Sequence, residues 1–222
     1  MVMEKSMDEL KMEIVEFTKR LYMRGLIVGT GGNVSVRIPD SPYILVTPSG
    51  LCKGYLKPSD IVKIDLDGRI VEGRLKPTSE TPMHIEIYKA RQDVNAIVHA
   101  HPPFCTGFSC AGIPLDKPIL PEAVIVLGEI TVVEYETPGT MSLARKVAEA
   151  AKKCDVLVLE NHGSVALGEN LEQAYVRTEV LEEYAKVLLI SNLLGGPKIL
   201  SEEEVRRLRG FKIYGQSASD PA

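Results

Sequence analysis

Helical and strand-like hydrophobic periods follow one another along this chain without the strict strand–helix alternation of a parallel sheet. That irregular order constrains the fold more than any other feature. Met7, Leu10, Ile14, Phe17 and Leu21 recur at three- and four-residue steps, which predicts an amphipathic helix, and Gly25 stands where its cap belongs. Val34, Val36 and Ile38 alternate as in a strand, and residues 43–47 read as a second strand closed by Pro48-Ser49-Gly50. Residues 61–65 and 69–71 flank Asp67-Gly68, the signature of an antiparallel hairpin. Thr78-Ser79-Glu80-Thr81-Pro82 reads as a helix start. Further strands are expected at 96–101, 123–127, 131–134, 155–159 and 164–167, with helices at 142–153 and 171–194. The expectation is one layered α/β domain with a mixed or antiparallel sheet.

Composition bounds the function. The 222 residues are 45% apolar and 25% charged, enough to bury a core without disulfide staples. No apolar run approaches the ~20 residues of a membrane-spanning helix. A net charge of −4 argues against a general nucleic-acid binder. Glu4, Asp8, Glu9, Glu13 and Glu16 occupy the N-terminal stretch where an export signal would need an apolar core, so a cytoplasmic location is expected. Cys52, Cys105, Cys110 and Cys154 form no short-spaced pair and read as reduced thiols.

The sharpest chemical signal is His99-Ala100-His101 at the end of an apolar strand. Residues two apart on a strand share a face, so these two imidazoles could grip one metal ion. Pro102-Pro103 ends the strand at once and leaves both rings at its C-terminal edge. A third ligand must come from His162, in the turn Asn161-His162-Gly163, or from His84, inside a predicted helix. Thr78-Ser79-Glu80 sets two hydroxyls and a carboxylate at a helix start, a position that suits an anion and equally suits a simple N-cap. The Gly29–Asn33 glycine loop could let backbone N–H groups approach a phosphate, although it is neither a Walker loop nor G-x-G-x-x-G.

Taken together, Gly32-Asn33-Val34-Ser35-Val36-Arg37, Thr47-Pro48-Ser49-Gly50, Thr78-Ser79-Glu80, His99-Ala100-His101 and Asn161-His162-Gly163 resemble, in order and spacing, the class II sugar-phosphate aldolases. The resemblance is to the superfamily of L-fuculose-1-phosphate aldolase and L-ribulose-5-phosphate 4-epimerase, closest to the former. It implies a single-domain α/β/α sandwich around a mainly antiparallel central sheet over residues 1–215, beyond which the short polar stretch 216–222 reads from its own residues as a loose tail. It implies one zinc ion (Zn2+) per subunit on His99, His101 and His162, with Glu80 as acid–base that also touches the metal when substrate is absent. Asn33, Ser49, Gly50, Thr78 and Ser79 would hold the substrate phosphate, and Tyr214 would reach an aldehyde in a neighbouring site of a homotetramer.

The activity implied is reversible cleavage of a ketose-1-phosphate to dihydroxyacetone phosphate and an aldehyde such as L-lactaldehyde. The same metal set also serves 4-epimerases and methylthioribulose-1-phosphate dehydratase, and three histidines with Glu80 could instead close a non-catalytic zinc site. One departure stands out. Bacterial fuculose aldolases carry a tyrosine in the segment matching residues 120–127, whereas this chain has none. The aldehyde side is expected to offer Glu122 with apolar Leu120, Val124 and Val126.

Overall fold

The computed structural model describes residues 5–211. Along the chain these form α1 (Met7–Met23), β1 (Asn33–Arg37), β2 (Tyr43–Val46), β3 (Val62–Asp65), β4 (Ile70–Glu72), α2 (Thr81–Ala90), β5 (Ala96–Ala100) and α3 (Pro103–Cys110). There follow α4 (Pro121–Leu127), β6 (Ile130–Val133), α5 (Met141–Ala151), β7 (Val156–Leu159), β8 (Gly163–Gly168), α6 (Leu171–Leu193) and α7 (Glu202–Arg209). The strands make one eight-stranded sheet in the order β4-β3-β2-β1-β5-β8-β7-β6. Every neighbouring pair is antiparallel except β6–β7. Among the described residues no helix is long and apolar enough to cross a membrane.

Strand alternation sorts the side chains into two layers. Ile44, Val46, Ile64, Ile97 and Val165 pack with Met83 and Ile87 of α2 and Leu143 and Val147 of α5. Val34, Val36, Leu45, Ala96, Val98 and Ala100 point the other way, onto Leu10, Ile14 and Leu21 of α1 and Leu171 and Ala174 of α6. The fold is therefore a helix–sheet–helix sandwich. The alternation also fixes the polar positions: Asn33 and Ser35 on β1, and His99 on β5, fall on the face that α2 covers.

One local expectation needs correction, and one helix was not foreseen. Residues 123–127 are not a strand but the body of α4. Leu120 is extended, Pro121 occupies the first turn, and Ala123, Val126 and Leu127 bury against α6 and β7. A five-residue apolar run carries no period of its own, so its partner surface decided the conformation. The chain after Pro102 also forms a helix, α3, that no periodicity announced. Its first free donors, the N–H groups of Phe104 and Cys105, donate to the buried Glu182 carboxylate at 3.1 and 3.0 Å. All four cysteines are free thiols.

Candidate metal centre

The centre is assembled at the edge of β5 from four segments. His99 is the last apolar-flanked position of that strand and has no exposed surface. Its Nδ1–H donates to the Ser164 carbonyl of β8 at 2.9 Å, which turns Nε2 inward. The Nε2 of His101 lies 3.0 Å from it, as the strand spacing requires. His162 arrives from the β7–β8 turn. There Asn161 takes a left-handed conformation, φ 55°, and its N–H donates to Ser109 Oγ of α3 at 3.1 Å. The three rings stand 4.8–5.2 Å apart, centroid to centroid.

Glycine makes this approach possible. A Cβ on Gly163 would lie 2.3 Å from the Ala100 carbonyl oxygen and 2.7 Å from His101 Cδ2. Any side chain there would part β8 from β5 or push the His101 ring aside. Gly32, at φ 69°, is held equally close: its Cβ would meet Ile27 Cγ2 at 2.4 Å and the His99 carbonyl at 3.0 Å.

Glu80 supplies the fourth group. It occupies the N-cap position of α2, yet its side chain makes no capping bond. The carboxylate turns inward instead, 3.0 Å from His99 Nε2 through Oε2 and 3.5 Å from His162 Nε2 through Oε1. Asn33 Nδ2 donates to Oε2 at 2.9 Å. Burial alone would raise this carboxyl, but the attraction and hydrogen bond of His99, then His162 and Asn33, outweigh it and hold the group well below the usual carboxylate range. Burial, followed by repulsion from His99, lowers His101 and His162 to about 4. Both rings are neutral at pH 7, the form that ligates metal.

The donor set fits a divalent cation. Among the described residues, the ligand atoms of Glu80, His99, His101 and His162 all lie within 4.8 Å of one another. Glu80 Oε1 and His162 Nδ1 are buried without a hydrogen-bond partner, an expensive arrangement unless the cluster gains a further contact. Three imidazoles with one carboxylate make a ligand set typical of zinc and its neighbours.

The other expected site residues fall into two groups. Thr78 and the Ser49-Gly50 turn come together because Pro48 pairs with Pro77, Ser49 N–H donates to the Lys76 carbonyl at 2.9 Å, and Thr78 N–H donates to the Thr47 carbonyl at 3.2 Å; next to Asn33, Val34 N–H donates to Thr47 Oγ1 at 3.1 Å. Ser49, Gly50 and Ser79 are exposed along this seam, and Thr78 is buried. Lys53, 1% exposed, sits under the turn and donates to the carbonyls of Pro48 and Leu51 at 3.0 and 3.2 Å. Its burial lowers the ammonium pKa. Sequence reading missed it because no local pattern announces an internal lysine.

Glu122 lies apart, exposed on the first turn of α4 in a groove lined by Arg24, Glu179 and Lys186. Val124 and Val126 are buried, Val126 against α6. Leu120 packs against the same core. Tyr214 lies outside the described residues. His84 is excluded from the cluster. It is wholly buried on α2, pushed to about 3 by burial, and bonded to Ser35 and Asn33.

Residues 12–189 match the family described as the class II aldolase and adducin N-terminal domain. The chain belongs to this family. It is 44% identical over 182 residues to an L-fuculose phosphate aldolase of Methanococcus maripaludis, covering 82% of this chain and 97% of the relative. It is 35% identical over 206 residues to a 5-deoxy-D-ribulose 1-phosphate aldolase of Bacillus thuringiensis, covering 92% and 96%. A solved L-fuculose 1-phosphate aldolase superposes with a TM-score of 0.85 at 36% identity, covering 93% of this chain and 96% of that one. The class II aldolase fold is thus this chain's fold, and its relatives support an aldolase. Class II aldolases are metal-dependent, and the Glu80–His99–His101–His162 cluster could bind that metal.

Proposed function

We propose that the protein is a zinc-dependent aldolase that reversibly cleaves a ketose-1-phosphate, of the L-fuculose-1-phosphate kind, to dihydroxyacetone phosphate and a small uncharged aldehyde such as L-lactaldehyde. One observation carries the reading: a carboxylate at a helix start ignores its own helix and is held by Asn33 against three converging imidazoles. A purely structural metal site would need no such carboxylate on a leash, nor the hydroxyl-rich seam beside it.

His99, His101 and His162 would hold the ion, which supplies Lewis acidity to a bound carbonyl. The chain's own groups do the rest. The seam of Ser49, Gly50, Thr78, Ser79 and Asn33 would grip the phosphate and fix the reacting carbons. When the carbon–carbon bond breaks, the carbon that keeps the bonding electrons must gain a proton. Glu80 would take that proton from solvent and deliver it, while the hydroxyl that becomes the aldehyde carbonyl releases its proton to solvent; condensation runs both transfers in reverse. The Bacillus relative and the solved structure support a 1-phosphate substrate, since one is named for 5-deoxy-D-ribulose 1-phosphate and the other for L-fuculose 1-phosphate.

Assembly as a homotetramer with sites near subunit contacts belongs to the same reading. Met23, Val28 and Tyr55 support it, because these large apolar side chains at and beside the loop before β1 are mostly exposed. A product assay of metal-replete protein on a panel of ketose phosphates tests the proposal. Release of dihydroxyacetone phosphate from 1-phosphates is expected. Conversion of L-ribulose-5-phosphate to xylulose-5-phosphate with no three-carbon phosphate released, or loss of water from methylthioribulose-1-phosphate, would overturn it.

A further inference from the structure

Behind Glu80 runs a chain of buried polar groups, of which the proposed reaction uses only Asn33 directly. Tyr88 Oη lies 2.9 Å from Ser35 Oγ, and Ser35 Oγ lies 2.6 Å from His84 Nδ1. His84 Nε2 lies 2.5 Å from Asn33 Oδ1, and Asn33 Nδ2 donates to Glu80 Oε2 at 2.9 Å. Ser35, His84 and Tyr88 have no exposed surface, and Asn33 has 3%. Four side chains from β1 and α2 therefore link the core of the protein to the carboxylate.

The direction of each bond can be deduced. An ionised carboxylate only accepts, so the Asn33 amide must present its NH2 to Glu80 and its oxygen to His84. An amide oxygen only accepts, so His84 Nε2 must carry the proton. The ring is buried with no carboxylate against it and stays neutral, so Nδ1 is an acceptor. Ser35 has one hydroxyl proton, which goes to Nδ1, and its oxygen then accepts from Tyr88. Every proton in the chain points towards Glu80. Reversing any one link would place two acceptors or two donors face to face in a dry interior.

We propose that His84 is a positioning residue. By donating from Nε2 to Asn33 Oδ1, and being fixed in that tautomer by Ser35 and Tyr88, it locks the Asn33 amide so that its NH2 holds the Glu80 carboxylate in the orientation the proton transfer needs. The inference rests on Glu80 being the acid–base of the proposed reaction. It assigns a use to a histidine that the metal cluster excludes.

The test has two arms. In metal-free protein with 15N-labelled histidine, His84 should appear as the neutral Nε2–H tautomer; an Nδ1–H tautomer would overturn the proposal whatever the activity. In the second arm, His84→Leu should keep its metal and lower kcat by about 10- to 100-fold with KM little changed, the usual loss when a supporting hydrogen bond is removed behind a metal centre. His84→Gln, which can again donate to Asn33, should recover most of kcat. His84→Leu added to Asn33→Ala should lower kcat no further, since the effect passes through Asn33. Parent-like kcat in His84→Leu, or multiplicative losses in the double variant, would overturn it. Should His84→Leu fail to fold, Ser35→Ala and His84→Gln carry the kinetic arm, and the tautomer measurement stands on the parent alone. Glu80→Gln separates the two readings: parent-like turnover there sinks the acid–base role itself, whereas a dead Glu80→Gln beside a parent-like His84→Leu sinks only the present inference.

Discussion

Replacing Gly163 by alanine tests whether the centre depends on strand contact at the edge of β5. The added methyl carbon would sit 2.3 Å from the Ala100 carbonyl oxygen, about 1 Å short of the 3.4 Å at which ordinary contact begins. That oxygen cannot swing away, because Ala100 is paired with Ser164 across β5 and β8. Either the strands part at their last pair or the His101 ring, 2.7 Å from the same methyl, turns out of the cluster. Overpacking of this kind costs about 1–3 kcal/mol. For a domain of this size that lowers the melting temperature by roughly 3–10 °C. Metal affinity should fall by about 10- to 100-fold, because one ligand ring loses its aim. Calorimetry of the metal-free protein and a zinc titration measure the two effects. Gly107→Ala is the control: it lies in α3 with nothing within 4 Å of the new methyl, and should be neutral or stabilising by up to ~1 kcal/mol. A Gly163→Ala protein matching the parent in both melting temperature and zinc affinity would refute the reasoning.

Glu80→Gln keeps size and hydrogen-bonding capacity but removes the titrating carboxyl; metal should remain bound while turnover falls by roughly 10² to 10⁴ in steady-state kinetics. His101→Ala should lose zinc by metal analysis and keep its circular dichroism spectrum, because the ring sits at the strand edge rather than in the core; parent-like zinc content would remove His101 from the ligand set. The metal-free protein should grow less stable in acid. His84 is pushed to about 3, and His101 and His162 to about 4, all below their ordinary 6.5. The unfolded chain therefore takes up protons first, so the stability these rings contribute is complete above about pH 6.5 and is lost as pH falls towards 4. A melting temperature that stays flat from pH 7 to 4 would contradict those environments.

Much of the site was legible because its spacing is short-range. His99 and His101 share a face by strand geometry alone, and the turn residues around His162 mark a sheet edge. Thr78-Ser79-Glu80 was legible as a helix start, but whether Glu80 caps the helix or leaves it depends on Asn33, 47 positions away in sequence. Similarly, the link from His84 to Asn33 follows from β1 packing under α2, although the alternation that puts Val34 and Val36 on one face already places Asn33 and Ser35 together on the other. The errors in the fold share a cause. Residues 121–127 became helical, and residues 103–110 formed α3, through contacts with α6 and the buried Glu182, which local periodicity cannot report. Lys53 was invisible for the same reason, since its partners are carbonyls of a turn.

The account stands or falls on the convergence of three imidazoles and one carboxylate upon a single ion. X-ray absorption at the zinc edge of the reconstituted protein measures this without any assumption about substrate. The account predicts one zinc per chain with three imidazole nitrogens at about 2.0–2.1 Å and the remaining positions filled by oxygen. Sulfur in the first coordination sphere, fewer than three imidazoles, or an ion still bound at full stoichiometry in a protein lacking both His99 and His101 would contradict it.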